Sequence, residues 1–199
     1  LTERDEIILD YQSKGYLVPS RALIKTEEEI EGIRKAGIVT RGVLDMIEGE
    51  IKEGISTERI NRLVHEYTLD HGAVPAPLNY EGFPKSVCTS INDVVCHGIP
   101  CDEELLFDGD IVNVDVTSIL NGYYADASRM YIVGQTSHEW KRLVDVAKEC
   151  RDIGAKVTKP YTFVGDMAKA ITDHAHKNGY TVVREFCGHG VGTVFHEDP

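Results

Sequence analysis

IVNVDVTSILNGYYADASRMYIV, residues 111–133, sets the architecture of this 199-residue chain. Two runs rich in Val, Ile, Thr and Tyr flank Asn121-Gly122, the strongest short-range signal for a two-residue hairpin turn. With that pair as the turn, Leu120 faces Tyr123, Thr117 lies opposite Asp126, and Asp115 lies opposite Ser128. Side chains alternate faces with period two, so Asp115 and Asp126 project from one face as diagonal neighbours. Asp115 stands between Val114 and Val116, in a run that reads as buried. Two carboxylates close together on an apolar sheet cannot both stay ionised without a compensating cation. Three readings stay open at this point: a solvated hairpin, a carboxylate pair sharing one proton, or a site for one or two metal ions.

Upstream of the hairpin, Thr26-Glu27-Glu28-Glu29 is a capping box that opens a helix running to Gly49, with Ile30, Ile33, Gly37, Val43, Leu44 and Ile47 as its apolar stripe. A second helix starts near Ser56 or Thr57 and stops at Gly72, with Ile60, Leu63, Val64, Tyr67 and His71 on one face. His71 is expected to be a packed core residue rather than a ligand. The segment from Ala73 to Pro84 is rich in Pro and aromatic residues and reads as a loop presenting Tyr80 and Phe83. Ser86 to Val95 is strand-like and delivers Cys96-His97-Gly98-Ile99-Pro100, where a turn can aim a side chain into a cleft. Asp108-Gly109-Asp110 then turns the chain into the hairpin. Residues 1–25 read as an extension, with a short helical stripe of Ile7, Ile8 and Tyr11 ended near Gly15.

Downstream, the pattern begins again. Thr136 and Glu139 form a capping box, and Trp140, Leu143, Val144, Ala147 and Cys150 form the stripe of a long helix. Met167, Ala168, Ile171 and Ala175 mark another helix closed by Asn178-Gly179, and Thr181-Val182-Val183 reads as a strand. Both halves thus run helix, helix, strand, a weak internal repeat of elements. The last informative stretch, FCGHGVGTVFHEDP (186–199), surrounds His189 with glycines and places His196 seven residues later. No Lys or Arg lies within it, which disfavours a phosphate cradle. His189 and His196 with the Asp pair make a mixed N/O donor set suited to first-row divalent metals.

The composition, 42% hydrophobic and 27% charged, is that of a globular protein. The net charge of -12 argues against non-specific binding to nucleic acid or to an anionic membrane. No apolar run approaches the roughly 20 residues that span a bilayer. No signal-peptide pattern is found at the start of a chain that begins at Leu1 and so is open to earlier trimming. The five cysteines, an odd number without a Cys-x-x-Cys pair, fit a reduced, cytoplasmic setting.

FPKSVC (83–88), CHGIP (96–100), the Asp115–Asp126 hairpin and FCGHGVGTVFHEDP (186–199) together resemble the type I methionine aminopeptidases, over Thr26 to Pro199. The resemblance implies a pita-bread α/β fold: two pseudo-symmetric halves around a curved, mostly antiparallel sheet, with residues 1–25 as an extension and 26–199 as a catalytic domain incomplete at its C-terminus. It implies that Asp115, Asp126 and His189 ligate two divalent ions, Asp126 bridging them, with Mn, Fe, Co, Ni or Zn all compatible with such donors. His97 and His196 would hydrogen-bond substrate and intermediate as the catalytic histidines. Tyr80, Phe83, Cys88 and Phe195 would line the pocket for a methionine side chain, and backbone near Asn92 and Val94 would hold a monovalent cation.

The implied activity is removal of the initiator methionine from chains with a small second residue. The implied partners are peptide or nascent-chain N-termini, the ribosome among candidates, for a protein expected to be a monomer. Ala127 departs from the Thr that many relatives carry there. The family's two remaining Glu ligands would fall beyond Pro199, so residues 1–199 alone are expected to be inactive. Two alternatives stand beside this reading: an X-Pro aminopeptidase or prolidase, and a non-catalytic pita-bread binding protein.

Overall fold

In the computed structural model, which describes residues 2–198, the chain runs as α1 (Glu3–Ser13), α2 (Glu27–Glu48), α3 (Thr57–Asp70), β1 (Val74–Pro75), β2 (Cys88–Ile91), β3 (Ile111–Leu120), β4 (Tyr123–Ile132), α4 (His138–Val157) and α5 (Val164–Lys177). Short 3-10 turns occupy Arg21–Leu23 and Tyr80–Gly82. Leu1 and Pro199, the outermost positions of the expected extension and domain, lie outside the described residues. No helix among the described residues is long and apolar enough to cross a membrane.

β3 is the centre of a four-stranded, wholly antiparallel sheet. Its pairing with β4 has the expected register: Leu120 faces Tyr123, Thr117 faces Asp126 and Asp115 faces Ser128. Asn121 (φ 52°) and Gly122 (φ 85°) both take positive φ, as a two-residue hairpin turn of this hand requires. On the other edge of β3, β2 pairs with its first half and the two-residue β1 with its end. Pro75 is tolerated because it sits on that edge.

The period of two sorts β3 into a core face and a cleft face. Val112, Val114 and Val116 are buried against Val43, Leu44 and Ile47 of α2 and Ile60 and Val64 of α3. Large side chains buried in this way contribute about 1.5–3 kcal/mol each. Asn113, Asp115 and Thr117 necessarily face the other way. Polar ties lock α2 to the hairpin: Tyr131 Oη donates to the Leu44 carbonyl (2.6 Å) and Thr40 Oγ1 to that of Ala125 (3.0 Å).

Several expectations fail at the level of local detail. The strand expected over Ser86 to Val95 is only Cys88–Ile91, because Asn92 (φ 53°) turns the chain back, its Oδ1 accepting from Ile111 N at 3.1 Å. His71 is exposed rather than packed: it forms the C-cap of α3, and its ring stacks on Tyr67 at 3.9 Å. Ile30 is exposed, since the buried stripe of α2 begins only at Ala36.

The cap of α4 is Ser137, whose side chain accepts from Trp140 N, and not Thr136, whose hydroxyl donates to the Gly109 carbonyl (2.6 Å). Along α4, Val146 is buried while Leu143 and Ala147 are exposed, because the helix turns its close contact at Gly154 and Cys150 towards Ile171 of α5. No strand forms at 181–183. No described strand lies beside that segment to complete its hydrogen bonds. The helix pair recurs in the second half, but the described sheet is built from the first.

Candidate metal and substrate site

Asp115 and Asp126 emerge from the cleft face of the hairpin, and the other expected metal, catalytic and pocket residues gather around them, while Asn92 and Val94 lie outside this cavity. Tyr80, Phe83, Cys88, His97, Asp115, Asp126, His189, Phe195 and His196 line one cavity of about 460 Å³. That volume is in the range of small-ligand sites. Its lining combines apolar and aromatic side chains with the two carboxylates and the imidazoles.

The sheet supplies the carboxylates directly. Register places Asp115 between Cys88 on β2 and Ser128 on β4. Asp126 accepts a hydrogen bond from Thr117 Oγ1 (2.8 Å). Burial first, and the Asp126 carboxylate second, push Asp115 up to about 6, against the opposing pull of His97 and His189. Cys88 is also pushed up, to about 12, by burial and then by Asp115, Cys96 and Asp126, so it is a neutral thiol at physiological pH.

The loops supply the histidines. His97 adopts φ 56° in a turn pressed against β2, where Thr89 N donates to the Gly98 carbonyl (3.0 Å) and Gly98 N to Ser90 Oγ (3.2 Å). A Cβ on Gly98 would lie 1.9 Å from the Thr89 carbonyl oxygen, so only glycine lets the turn approach this closely. His196 shares a hydrogen bond between Nδ1 and Tyr80 Oη (2.9 Å) and stacks on Phe195 at 4.4 Å. The His189 and His196 rings meet edge to face at 4.4 Å.

The His189 geometry tests whether the residues fit a metal. Its Nδ1 lies 2.9 Å from the Gly190 carbonyl, which can only accept, so Nδ1 carries the proton. In the neutral ring Nε2 then holds a lone pair, and it faces Asp126 Oδ2 at 3.5 Å. Two acceptors pointed at each other require a cation between or beside them, either a proton on the ring or a metal ion. The raised Asp115 carboxyl makes the same demand. The donor set therefore fits a divalent ion. The donors are not converged: among the described residues no three His, Cys, Asp or Glu side chains are spaced to enclose an ion.

Residues beyond those expected also shape the cavity. Pro77, Glu81, Ile99 and Thr117 line it. Thr117 was legible as the cross-strand partner of Asp126, but nothing in the pattern marked its hydroxyl as a brace. Glu81 carried no signal. It lies in a turn at φ 47°, unusual for a residue with a side chain.

Residues 31–199 match metallopeptidase family M24, and the chain belongs to that family. Among its relatives, the methionine aminopeptidase of Rickettsia prowazekii is 48% identical over 176 residues, 88% of this chain and 68% of that protein. The methionine aminopeptidase of Haemophilus influenzae is 47% identical over 178 residues, 88% of this chain and 66% of that one. The solved structure of the Rickettsia enzyme superposes with a TM-score of 0.86, covering 88% of this chain and 71% of its own. The X-Pro aminopeptidase of Thermotoga maritima, 22% identical with a TM-score of 0.75, shares the fold alone. The expected pita-bread architecture is thus the fold of this chain, which spans about two thirds of the length of the bacterial relatives it matches.

Proposed function

We infer that this chain carries part of a methionine aminopeptidase, a metal-dependent exopeptidase that removes the initiator methionine from nascent chains with a small second residue. One observation carries the reading: the expected donors Asp115, Asp126 and His189 share a single cavity with the expected apolar pocket and both expected outer histidines.

Asp115, Asp126 and His189 would hold two divalent ions, with Mn, Fe, Co, Ni or Zn all suited to N/O donors. When bound, such ions polarise the scissile carbonyl and lower the pKa of water to near neutrality. The protein's own groups do the rest. Phe83, Phe195, Tyr80 and the neutral Cys88 thiol present soft, polarisable surface to an unbranched thioether side chain. His97 and His196 supply hydrogen bonds at the reacting carbonyl, and Tyr80 fixes the orientation of the His196 ring through Nδ1. Thr117 orients the Asp126 carboxylate.

A monovalent cation is proposed at the turn of Asn92 and Val94. The Asn92 side chain is engaged by Ile111 N and Asp110 (2.8 Å to Oδ1), which leaves the turn's backbone to serve as donor. The setting proposed is a cytoplasmic monomer acting on free or ribosome-borne N-termini, without membrane or direct nucleic-acid contact. Free cysteines and the charge of -12 support it.

The test is turnover by the full-length protein of Met-Ala, Met-Lys and X-Pro peptides with added Mn or Co. Cleavage of Met-Ala well above the others is expected. Equal turnover of Met-Lys removes the small-second-residue rule, and preference for X-Pro favours the prolidase alternative. Absence of both turnover and calorimetric metal binding would leave the non-catalytic binding protein.

A further inference from the structure

Lys25 lies just ahead of α2, next to its N-cap Thr26. Its side chain is 14% exposed, and its ammonium donates to Glu197 Oε2 at 2.6 Å and to the Leu23 carbonyl at 3.2 Å. Glu197 is 7% exposed. Its second oxygen, Oε1, accepts from Thr193 N (2.9 Å), Thr193 Oγ1 (3.1 Å) and Val194 N (3.3 Å). The backbones of Gly190 and Glu197 exchange hydrogen bonds of 2.7 and 2.9 Å, closing residues 190–197 into a loop whose interior is filled by that carboxylate. The loop is tied to β4 by Tyr124 N, which donates to the Gly192 carbonyl (2.7 Å).

This closed loop fixes the site histidines. His189 immediately precedes one end of the Gly190–Glu197 bridge and His196 the other, so the bridge sets their ring separation. A Cβ on Gly192 would lie 2.7 Å from Lys25 Cε and 3.0 Å from Ile33 Cδ1, so the lysine stem occupies the space beside the loop. Burial works to raise the Glu197 carboxyl, yet the hydrogen bonds from Lys25, then Thr193 and Val194, outweigh it and bring it down to about 2. A buried carboxylate of this kind needs its cation to stay in place.

We propose that Lys25 is a positioning residue of the active site: through Glu197 it holds loop 190–197 in the conformation that sets His196 against Tyr80 and the cavity. The proposal rests on the aminopeptidase reading for its kinetic consequence, but not for its structural one. A plain structural clip would affect stability alone. A positioning residue must act on turnover through His196.

The experiment uses the full-length protein with Lys25→Met and Lys25→Arg, alone and with His196→Ala. Hydrogen exchange at the Thr193 and Val194 amides should accelerate about tenfold or more in Lys25→Met and return towards the parent rate in Lys25→Arg. Turnover of a Met-Ala peptide should fall about tenfold in kcat, with KM within about twofold and metal content unchanged. In the His196→Ala background, Lys25→Met should cost little further. Unchanged exchange in Lys25→Met overturns the proposal, and so does a kcat loss that persists undiminished without His196. Should Lys25→Met fail to fold, Glu197→Gln, which keeps an acceptor for Thr193 and Val194 but loses the ion pair with Lys25, replaces it and is judged on the kcat loss and on whether that loss vanishes without His196. A parent that turns over no Met peptide defeats the aminopeptidase reading, while the exchange rates still decide whether Lys25 holds the loop.

Discussion

His196 is held from two sides, by the Tyr80 hydroxyl at Nδ1 and by the Phe195 ring beneath it, and neither contact needs a metal. It is therefore expected to serve the reaction rather than the ion. His196→Ala in the full-length protein should lower kcat by roughly 10² or more, the scale for losing one transition-state donor. Metal content, measured by elemental analysis, should match the parent; a metal-free variant would make His196 a ligand. Thr117 poses the opposite case. Its hydroxyl braces Asp126, so Thr117→Val, which keeps the shape, should weaken metal binding about 10- to 100-fold by calorimetry. Unchanged affinity would reduce that bond to sheet decoration. At this scale the sequence was legible where chemistry and period coincide. Asn121-Gly122 allowed only one register, and the register placed both aspartates. It was illegible where neighbours compete for one role, as at Thr136 and Ser137, or where a polar ring on an apolar stripe can end at a helix cap, as His71 does.

Elements that carry their own instructions formed as expected, and those that depend on a partner did not. α2 begins at the Thr26–Glu29 capping box, and the Gly179 turn closes α5, because both signals act within a few residues. Residues 181–183 have strand composition, but a strand is satisfied only by another strand, and their backbone stays irregular with Val183 half exposed. Cys88–Ile91 is short for the related reason that Asn92 turns the chain to meet Ile111. In the turn after it, Gly98 lies against β2 backbone that cannot move aside. Gly98→Ala should cost about 1–3 kcal/mol by overpacking, read in urea denaturation, and should displace His97 enough to depress kcat as well. A stable, fully active Gly98→Ala protein would show that the turn has room that the geometry denies.

Two partly buried carboxylates, Asp115 and Glu197, are shifted in opposite directions, which gives the stability of the whole molecule a specific dependence on pH. Glu197, brought down to about 2 from an ordinary 4.5, binds protons less readily folded than unfolded. Its contribution is complete above about 4.5 and is lost as pH falls towards 2. Asp115, pushed up to about 6 from 3.8, binds protons more readily when folded. In protein stripped of metal by chelator, stability should therefore fall as pH rises from about 4 to about 6. The two limbs meet between about 4 and 4.5, where stripped protein should be most resistant to urea with respect to these groups. Variants separate the limbs: Asp115→Asn should flatten the upper one, and Glu197→Gln the lower. Divalent metal should reverse the upper limb, because an ion on Asp115 and Asp126 competes with the proton and gains affinity as pH rises. The measurement is the urea midpoint at half-unit intervals from pH 3 to 7, with chelator and with Mn. An upper limb that survives Asp115→Asn would assign the proton uptake elsewhere and remove the strongest electrostatic argument for a cation at this hairpin.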